Sequence, residues 1–218
     1  MIQTQNLSIR FQEDSGISYR DLSFETGRSY VLLGASGCGK STLLNMISGV
    51  ITPSSGRVII DGMDMTGRSQ RQKDAFRIAH IGYIFQDFKL IDEMTVEDNI
   101  DVLRLEHVDT SHMNDILQDL GILNLRKRRV NRLSGGEKQR VAIARALVKQ
   151  PDVILADEPT GNLNYAIGRR IMEELIRTAK GKTLVCVTHD DRLAELFDEV
   201  LDMNGIAAAM TEGGERNA

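Results

Sequence analysis

Two cysteines, Cys38 and Cys186, are all that 218 residues contain, and they form no C-x-x-C or other metal-ligand spacing. A secreted disulfide scaffold and a Cys/His zinc module are therefore excluded, and a reduced, cytosolic chain is the simplest reading. A surplus of positive charge is lacking as well. Lys and Arg number 27 against 31 Asp and Glu, a net charge of −4. Non-specific binding to nucleic acid needs a basic footprint, so no nucleic-acid partner is expected. No apolar run approaches the ~18 residues of a membrane span. Met1 to Asn6 lacks the basic-then-apolar order of a secretion signal, and no internal repeat or low-complexity linker is found. What remains, 41% hydrophobic and 27% charged, is the composition of an ordinary globular chain. It is long enough to bury a core as one domain, or as one domain with an inserted subdomain.

Strand signals come first. Leu7, Ile9 and Phe11 alternate with polar residues, and Ile17 to Phe24 alternates in part. Tyr30 to Leu33, Val153 to Ala156 and Thr183 to Val187 are short runs dominated by apolar residues, the pattern of strands buried on both faces. Arg57 to Ile60 and Ile81 to Phe85 read as further strands, and Val200 to Met210 as a hairpin around Asn204-Gly205. Helices are expected from Lys40 to about Ser48, Ser134 to about Lys149 and Asn164 to about Ala179, with another among the polar residues 63 to 80. Residues 92 to 130 lack strand signals, and Thr95 begins a helix with acid in its first turn. Strands alternating with helices imply a parallel sheet with right-handed crossovers. The expected fold class is α/β, a mostly parallel sheet beside a small antiparallel β subdomain, with an inserted α-helical subdomain. The expected division is 1–88 and 135–210 for the core and β subdomain, about 89–134 for the helical subdomain, and a flexible tail at 211–218. No appended regulatory domain is expected after the hairpin.

Gly34-Ala35-Ser36-Gly37-Cys38-Gly39-Lys40-Ser41 fits G-x-x-x-x-G-K-[ST] between an expected strand and an expected helix. Glycines at this spacing let backbone N–H groups turn inward around a β-phosphate, and the helix N-terminus behind them adds partial positive charge. Lys40 is expected on the β- and γ-phosphates and Ser41 on Mg²⁺, with Thr42 completing the loop. Cys38 fills a permissive position of the loop. Two acids, Asp157 and Glu158, follow the buried strand that ends at Ala156. Asp157 is expected to bind Mg²⁺ and Glu158 to polarise an attacking water as general base.

Leu133-Ser134-Gly135-Gly136-Glu137 lies between these two motifs. Three motifs in this order resemble the nucleotide-binding domain of an ABC transporter, a P-loop NTPase, over nearly the whole chain. Ser134, Gly135 and Gly136 open a helix and so offer a second anion-binding N-terminus. The resemblance implies that two chains pack head to tail as an ATP-dependent homodimer, each ATP lying between one chain's phosphate loop and the other's Ser134-Gly135-Gly136. It implies further that Gln86 contacts Mg²⁺ and water and senses the membrane partner, and that His189 holds the γ-phosphate and orients Glu158. An aromatic residue upstream of the loop is to stack on adenine; Phe11 fits best and Tyr19 competes. Ala156 to Leu163, with Gln86 to Leu90 and Thr95 to Ile100, resembles the ATPases of the lipoprotein-release, macrolide-export and cell-division group and related peptide-resistance exporters. The implied protein is an ATPase with ATP and Mg²⁺ as cofactors. It would be cytoplasmic, peripheral on the membrane through an integral permease, and powering an exporter or a mechanical device.

One position departs from the resemblance. The family usually has Asp after Gly-Asn-Leu, and here Asn164 follows Leu163. Asn can cap the next helix but supplies no charge, so slower, measurable turnover is expected. Arg126 to Arg129 and Arg132 read as a solvated face or as a contact with the membrane partner, and Met94 as packing or as part of the groove that receives it. His80, His107 and His112 read as ordinary surface or packing residues. The alternatives are a soluble ATPase of this type without a transporter, as in iron–sulfur assembly, and a nucleotide switch with little hydrolysis.

Overall fold

The computed structural model describes residues 1–12 and 15–210; the tail expected at 211–218 lies outside the described residues. Strands β1 (Ile2–Gln12), β2 (Ser15–Tyr19), β3 (Leu22–Phe24) and β4 (Ser29–Leu33) lead into helix α1 (Lys40–Ile47). Strands β5 (Ser55–Ile60) and β6 (Met63–Asp64), helix α2 (Gln70–His80) and strand β7 (Ile81–Ile84) follow. Next come helices α3 (Val96–Asp101), α4 (Met113–Asp119) and α5 (Gly135–Leu147). Strand β8 (Val153–Asp157), helix α6 (Tyr165–Thr178) and strands β9 (Thr183–Thr188), β10 (Glu199–Asp202) and β11 (Ala207–Met210) complete the described chain.

The apolar strands assemble as their sequences require. β10, β4, β9, β8 and β7 form a five-stranded sheet in that order, and every pairing in it is parallel. Alternate residues of these strands face two separate cores, which is why the runs are continuously apolar. Tyr30, Leu32, Val153, Leu155, Val185 and Val187 meet α1 and the second sheet. Val31, Ile154, Ala156, Leu184 and Cys186 meet α5, α6 and the helical segment. The second sheet is antiparallel, in the order β11-β2-β1-β5-β6, with β3 paired to β1 near its start. Between Leu90 and Ser134 the described residues are helix and turn, joined only by an isolated bridge from Thr95 to Arg129. Their apolar residues, Val96, Ile100, Met113 and Leu117, pack on α5.

The alternating stretch from Ile17 to Phe24 divides between β2 and β3. The chain breaks at Arg20-Asp21, where the Asp21 carboxylate accepts from Asn6 N–H at 2.6 Å and Leu22 N–H turns to Thr4 Oγ1 at 3.0 Å. One expectation needs correction. The supposed hairpin at 200–210 does not form: β10 pairs in parallel with β4, and β11 pairs with β2 in the other sheet. Asp202 caps a short 3₁₀ turn, accepting from Asn204 N–H at 2.9 Å, and Met203 and Ile206 bury on either side of it. Those two anchors carry the chain from one sheet to the other. No helix of the described residues is long and apolar enough to cross a membrane.

Candidate functional site

A cavity of about 600 Å³ opens where β4 and β8 end and α1 begins. The loop from Ala35 to Gly39 forms its floor with Lys40, Ser41 and Thr42. Gly39 has φ 97°, a left-handed conformation, and a Cβ there would stand 2.6 Å from the Tyr19 hydroxyl. Only glycine allows the loop to turn into α1 at this point. Lys40 is 5% exposed and folds back on the loop, donating to Gly34 O at 2.7 Å and Ala35 O at 2.9 Å. Its ammonium also stands 3.5 Å from Glu158 Oε1.

The parallel register brings the strand ends together. Ser41 Oγ donates to Asp157 Oδ1 at 2.8 Å. Burial is the main cause that raises the Asp157 carboxyl above its ordinary range, with the neighbouring Glu158 charge adding to it. Two hard oxygen donors with a poorly solvated negative charge fit a divalent cation that takes its other ligands from phosphate and water. Gln86, just beyond β7, lines the same cavity. A Cβ on Gly161 would lie 3.0 Å from Gln86 Nε2, so the glycine leaves room for that side chain.

Glu158 has a positive φ of 44° and is 9% exposed. Its Oε2 accepts from Thr188 Oγ1 at 3.2 Å and from His189 N–H at 3.3 Å, with His189 Nδ1 2.9 Å away. Lys40, Glu158 and His189 therefore share one pocket wall. Phe11 is 54% exposed at its rim, beside Ile17. Tyr19 is not available for stacking: it is buried, its hydroxyl donates to Gly39 O at 2.9 Å, and burial pushes its pKa up to about 12.

Other expected residues lie elsewhere. Cys38 is half-buried and packs into the core below the loop, and Gly34 directly follows β4; neither lines the cavity. Ser134, Gly135 and Gly136 are outside the cavity, at the start of α5. There Ser134 and Glu137 form a reciprocal cap, with Ser134 N–H donating to Glu137 Oε2 at 2.7 Å. Asn164 caps α6, its Oδ1 accepting from Ile167 N–H at 3.1 Å. Arg126 and Lys127 both pair with Glu97. His80 pairs at the surface with Asp152 at 2.7 Å. Thr188 and Ile17 escaped the sequence reading: a threonine at the end of an apolar strand and an isoleucine in an alternating one look like packing. The one available signal for Thr188 was its place directly before His189.

A glycine-rich loop between a buried strand and a helix, with a lysine facing a carboxylate just after β8, two strands away across the parallel sheet, defines a P-loop NTPase. A profile described as ABC transporter matches residues 18–161. The ABC transporter ATP-binding protein YtrE of Bacillus subtilis is 42% identical over 182 residues, 80% of this chain and 79% of that protein. The lipoprotein-releasing system ATP-binding protein LolD of Psychrobacter arcticus is 40% identical over 189 residues, 83% of this chain and 84% of its own length. Among solved structures, the dimeric bacterial ABC transporter cassette MJ0796 superposes with a TM-score of 0.80 at 29% identity, covering 99% of this chain and 100% of that one. A post-hydrolysis state of MJ0796 bound to ADP and Pi gives 0.79. The chain belongs to the ABC transporter family, as an ATPase cassette.

Proposed function

We propose that this chain binds and hydrolyses ATP, dimerises head to tail on ATP, and powers a membrane-spanning partner of the exporter or mechanical type. The observation that carries the reading is the grouping of Lys40, Glu158 and His189 on one wall of the loop cavity, while Ser134 caps a second helix outside it. The loop N–H groups and Lys40 bind the β- and γ-phosphates, and Phe11 stacks on the base. Ser41, Asp157 and Gln86 hold Mg²⁺, which when bound neutralises phosphate charge. Glu158 takes a proton from the attacking water, whose oxygen bonds to the γ-phosphorus as the bond to the ADP oxygen breaks. His189 fixes the Glu158 carboxylate and faces the γ-phosphate. Ser134, Gly135 and Gly136 serve the nucleotide of the second chain, so closure of two chains gates the reaction. Residues 1–88 and 135–210 act as the nucleotide-binding core and 89–134 as the arm that meets the permease, on the cytoplasmic face of the membrane. The names of the relatives, transporter and lipoprotein-release ATP-binding proteins, support that partner.

The test uses Glu158→Gln with ATP to recover bound protein from native membranes. Recovery of a membrane-spanning protein is expected; recovery of soluble proteins alone overturns the transporter reading. Asn164 favours one other reading, a nucleotide switch with little hydrolysis, and steady-state phosphate release by the unmodified chain decides between them.

A further inference from the structure

Tyr165 is the first residue of α6, directly after its cap Asn164. Its ring is covered by the Arg192 guanidinium, whose central carbon lies 4.2 Å from the ring centroid. Arg192 is itself fixed. Its Nε donates to Asp190 Oδ1 at 2.7 Å, its Nη2 to Asp190 Oδ2 at 2.8 Å, and its backbone N–H to Asp190 Oδ1 at 3.2 Å. Asp190 follows His189 in the chain, and its N–H donates to Thr188 Oγ1 at 3.2 Å, the same hydroxyl that donates to Glu158 Oε2. The far edge of the tyrosine is held too, since Arg169 Nη1 reaches its hydroxyl at 3.3 Å and Glu195 at 2.6 Å. At the other end of the same loop, Asn162 Nδ2 donates to Gln86 O at 2.8 Å. The segment from Asn162 to Tyr165 therefore touches Gln86 at one end and, at the other, Arg192 in the turn after His189, without lining the cavity.

We infer that Tyr165 and Arg192 form a clamp that transmits the position of the Asn164 loop to the turn bearing His189, so that Arg192 is a positioning residue for hydrolysis. The inference rests on Glu158 and His189 being the hydrolytic pair. The chemistry asks for these two side chains. A guanidinium stacks on a ring through its face while its edge forks to a carboxylate, and an ammonium cannot do both. A stack and a fork together fix the plane of Arg192 and with it the Asp190 turn. The loop before Tyr165 is also the one that carries Asn164, so movement of that loop moves the clamp. Neither residue touches the cavity, so neither contributes to binding the nucleotide.

The experiment measures steady-state ATPase against ATP concentration for the full chain and for Tyr165→Leu, Arg192→Ala, Arg192→Lys and the Leu/Ala double variant, with Tm as a folding control. Each single variant is expected to lower kcat by about twofold to fivefold, the scale of a lost cation–π contact at a partly exposed site, at unchanged KM. The double variant is expected to be no slower than the slower single one, because the two act as one unit. Arg192→Lys is expected to match Arg192→Ala. Wild-type rates, a loss expressed in KM, losses that multiply in the double variant, or rescue by lysine would each overturn the clamp. Glu158→Gln is assayed alongside. If it hydrolyses ATP at the wild-type rate, the assignment of the hydrolytic pair falls and the clamp with it. If it is inactive while Arg192→Ala is unimpaired, the clamp alone falls.

Discussion

Lys40 Nζ stands 3.5 Å from Glu158 Oε1, and both side chains are almost closed off from solvent. The cation offsets the buried carboxylate before any phosphate arrives. Lys40→Ala is therefore expected to lose ATP binding and also to destabilise the nucleotide-free protein, by about 3 kcal/mol, because it strands a buried charge. Adding Glu158→Gln to Lys40→Ala is expected to recover most of that stability and none of the binding. Denaturant titration of the two variants checks it, and equal stabilities would show that the pair is not coupled.

Thr188 is 1% exposed and its hydroxyl links the Glu158 carboxylate to the Asp190 backbone. Thr188→Val keeps the shape and removes the link. A kcat lower by about tenfold is expected, the scale of a hydrogen bond to a charged group, with KM for ATP unchanged. A fall in both parameters would assign the hydroxyl to binding instead.

Asn164→Asp restores a charge where the chain has an amide. Aspartate caps a helix as well as asparagine does, so Tm is expected to hold. ATPase turnover is expected to rise by about twofold to fivefold, the scale of one partly exposed charge pair. Unchanged or lower turnover means that this position does not limit hydrolysis.

Phe11 lies at the cavity rim with half its surface free. Phe11→Ala is expected to raise KM for ATP by about tenfold through the loss of base stacking, at nearly constant kcat. A variant with wild-type KM would leave the adenine to Ile17 and the loop.

The carboxylates of Glu97, Glu137, Asp190 and Asp198 are all held below their ordinary range. Lys127 and Arg126 act on Glu97, Ser134 on Glu137, Arg192 on Asp190, and the Ser29 N–H and hydroxyl on Asp198. Each binds its proton more weakly in the folded chain than in the unfolded one. The stability they contribute is fully present above the unfolded carboxylate pKa, about 4, and is lost as pH falls through the lower folded values. Tm measured between neutral pH and about pH 3 is expected to fall in that acid window. Asp198→Asn is expected to shrink the fall, and an identical profile would remove Asp198 from it.

Strands β4, β8 and β9 were legible in the sequence because burial on both faces leaves runs of mostly apolar residues there. The loop motif and the acids after β8 were legible because phosphate chemistry restricts the residues at each step. Asn204-Gly205 misled because a turn signal is local, whereas the partners of β10 and β11 are β4 and β2, far back in the chain. The break at Asp21 depends on Asn6, and the stack of Arg192 on Tyr165 depends on two loops meeting. Periodicity carries no trace of either.

The crossing at Met203 to Ile206 also sets an order of events during synthesis. β10 is one edge strand of the parallel sheet and β11 one edge strand of the antiparallel sheet, and both lie beyond residue 198. The phosphate loop is translated early, yet the strand that leads into it, β4, and the strand that carries Ile17, β2, each lack a neighbour until those residues leave the ribosome. A nascent chain stalled before residue 199 would leave β4 and β2, which are interior strands of the finished sheets, as unpaired edges, the state in which such a protein is most exposed to mispairing.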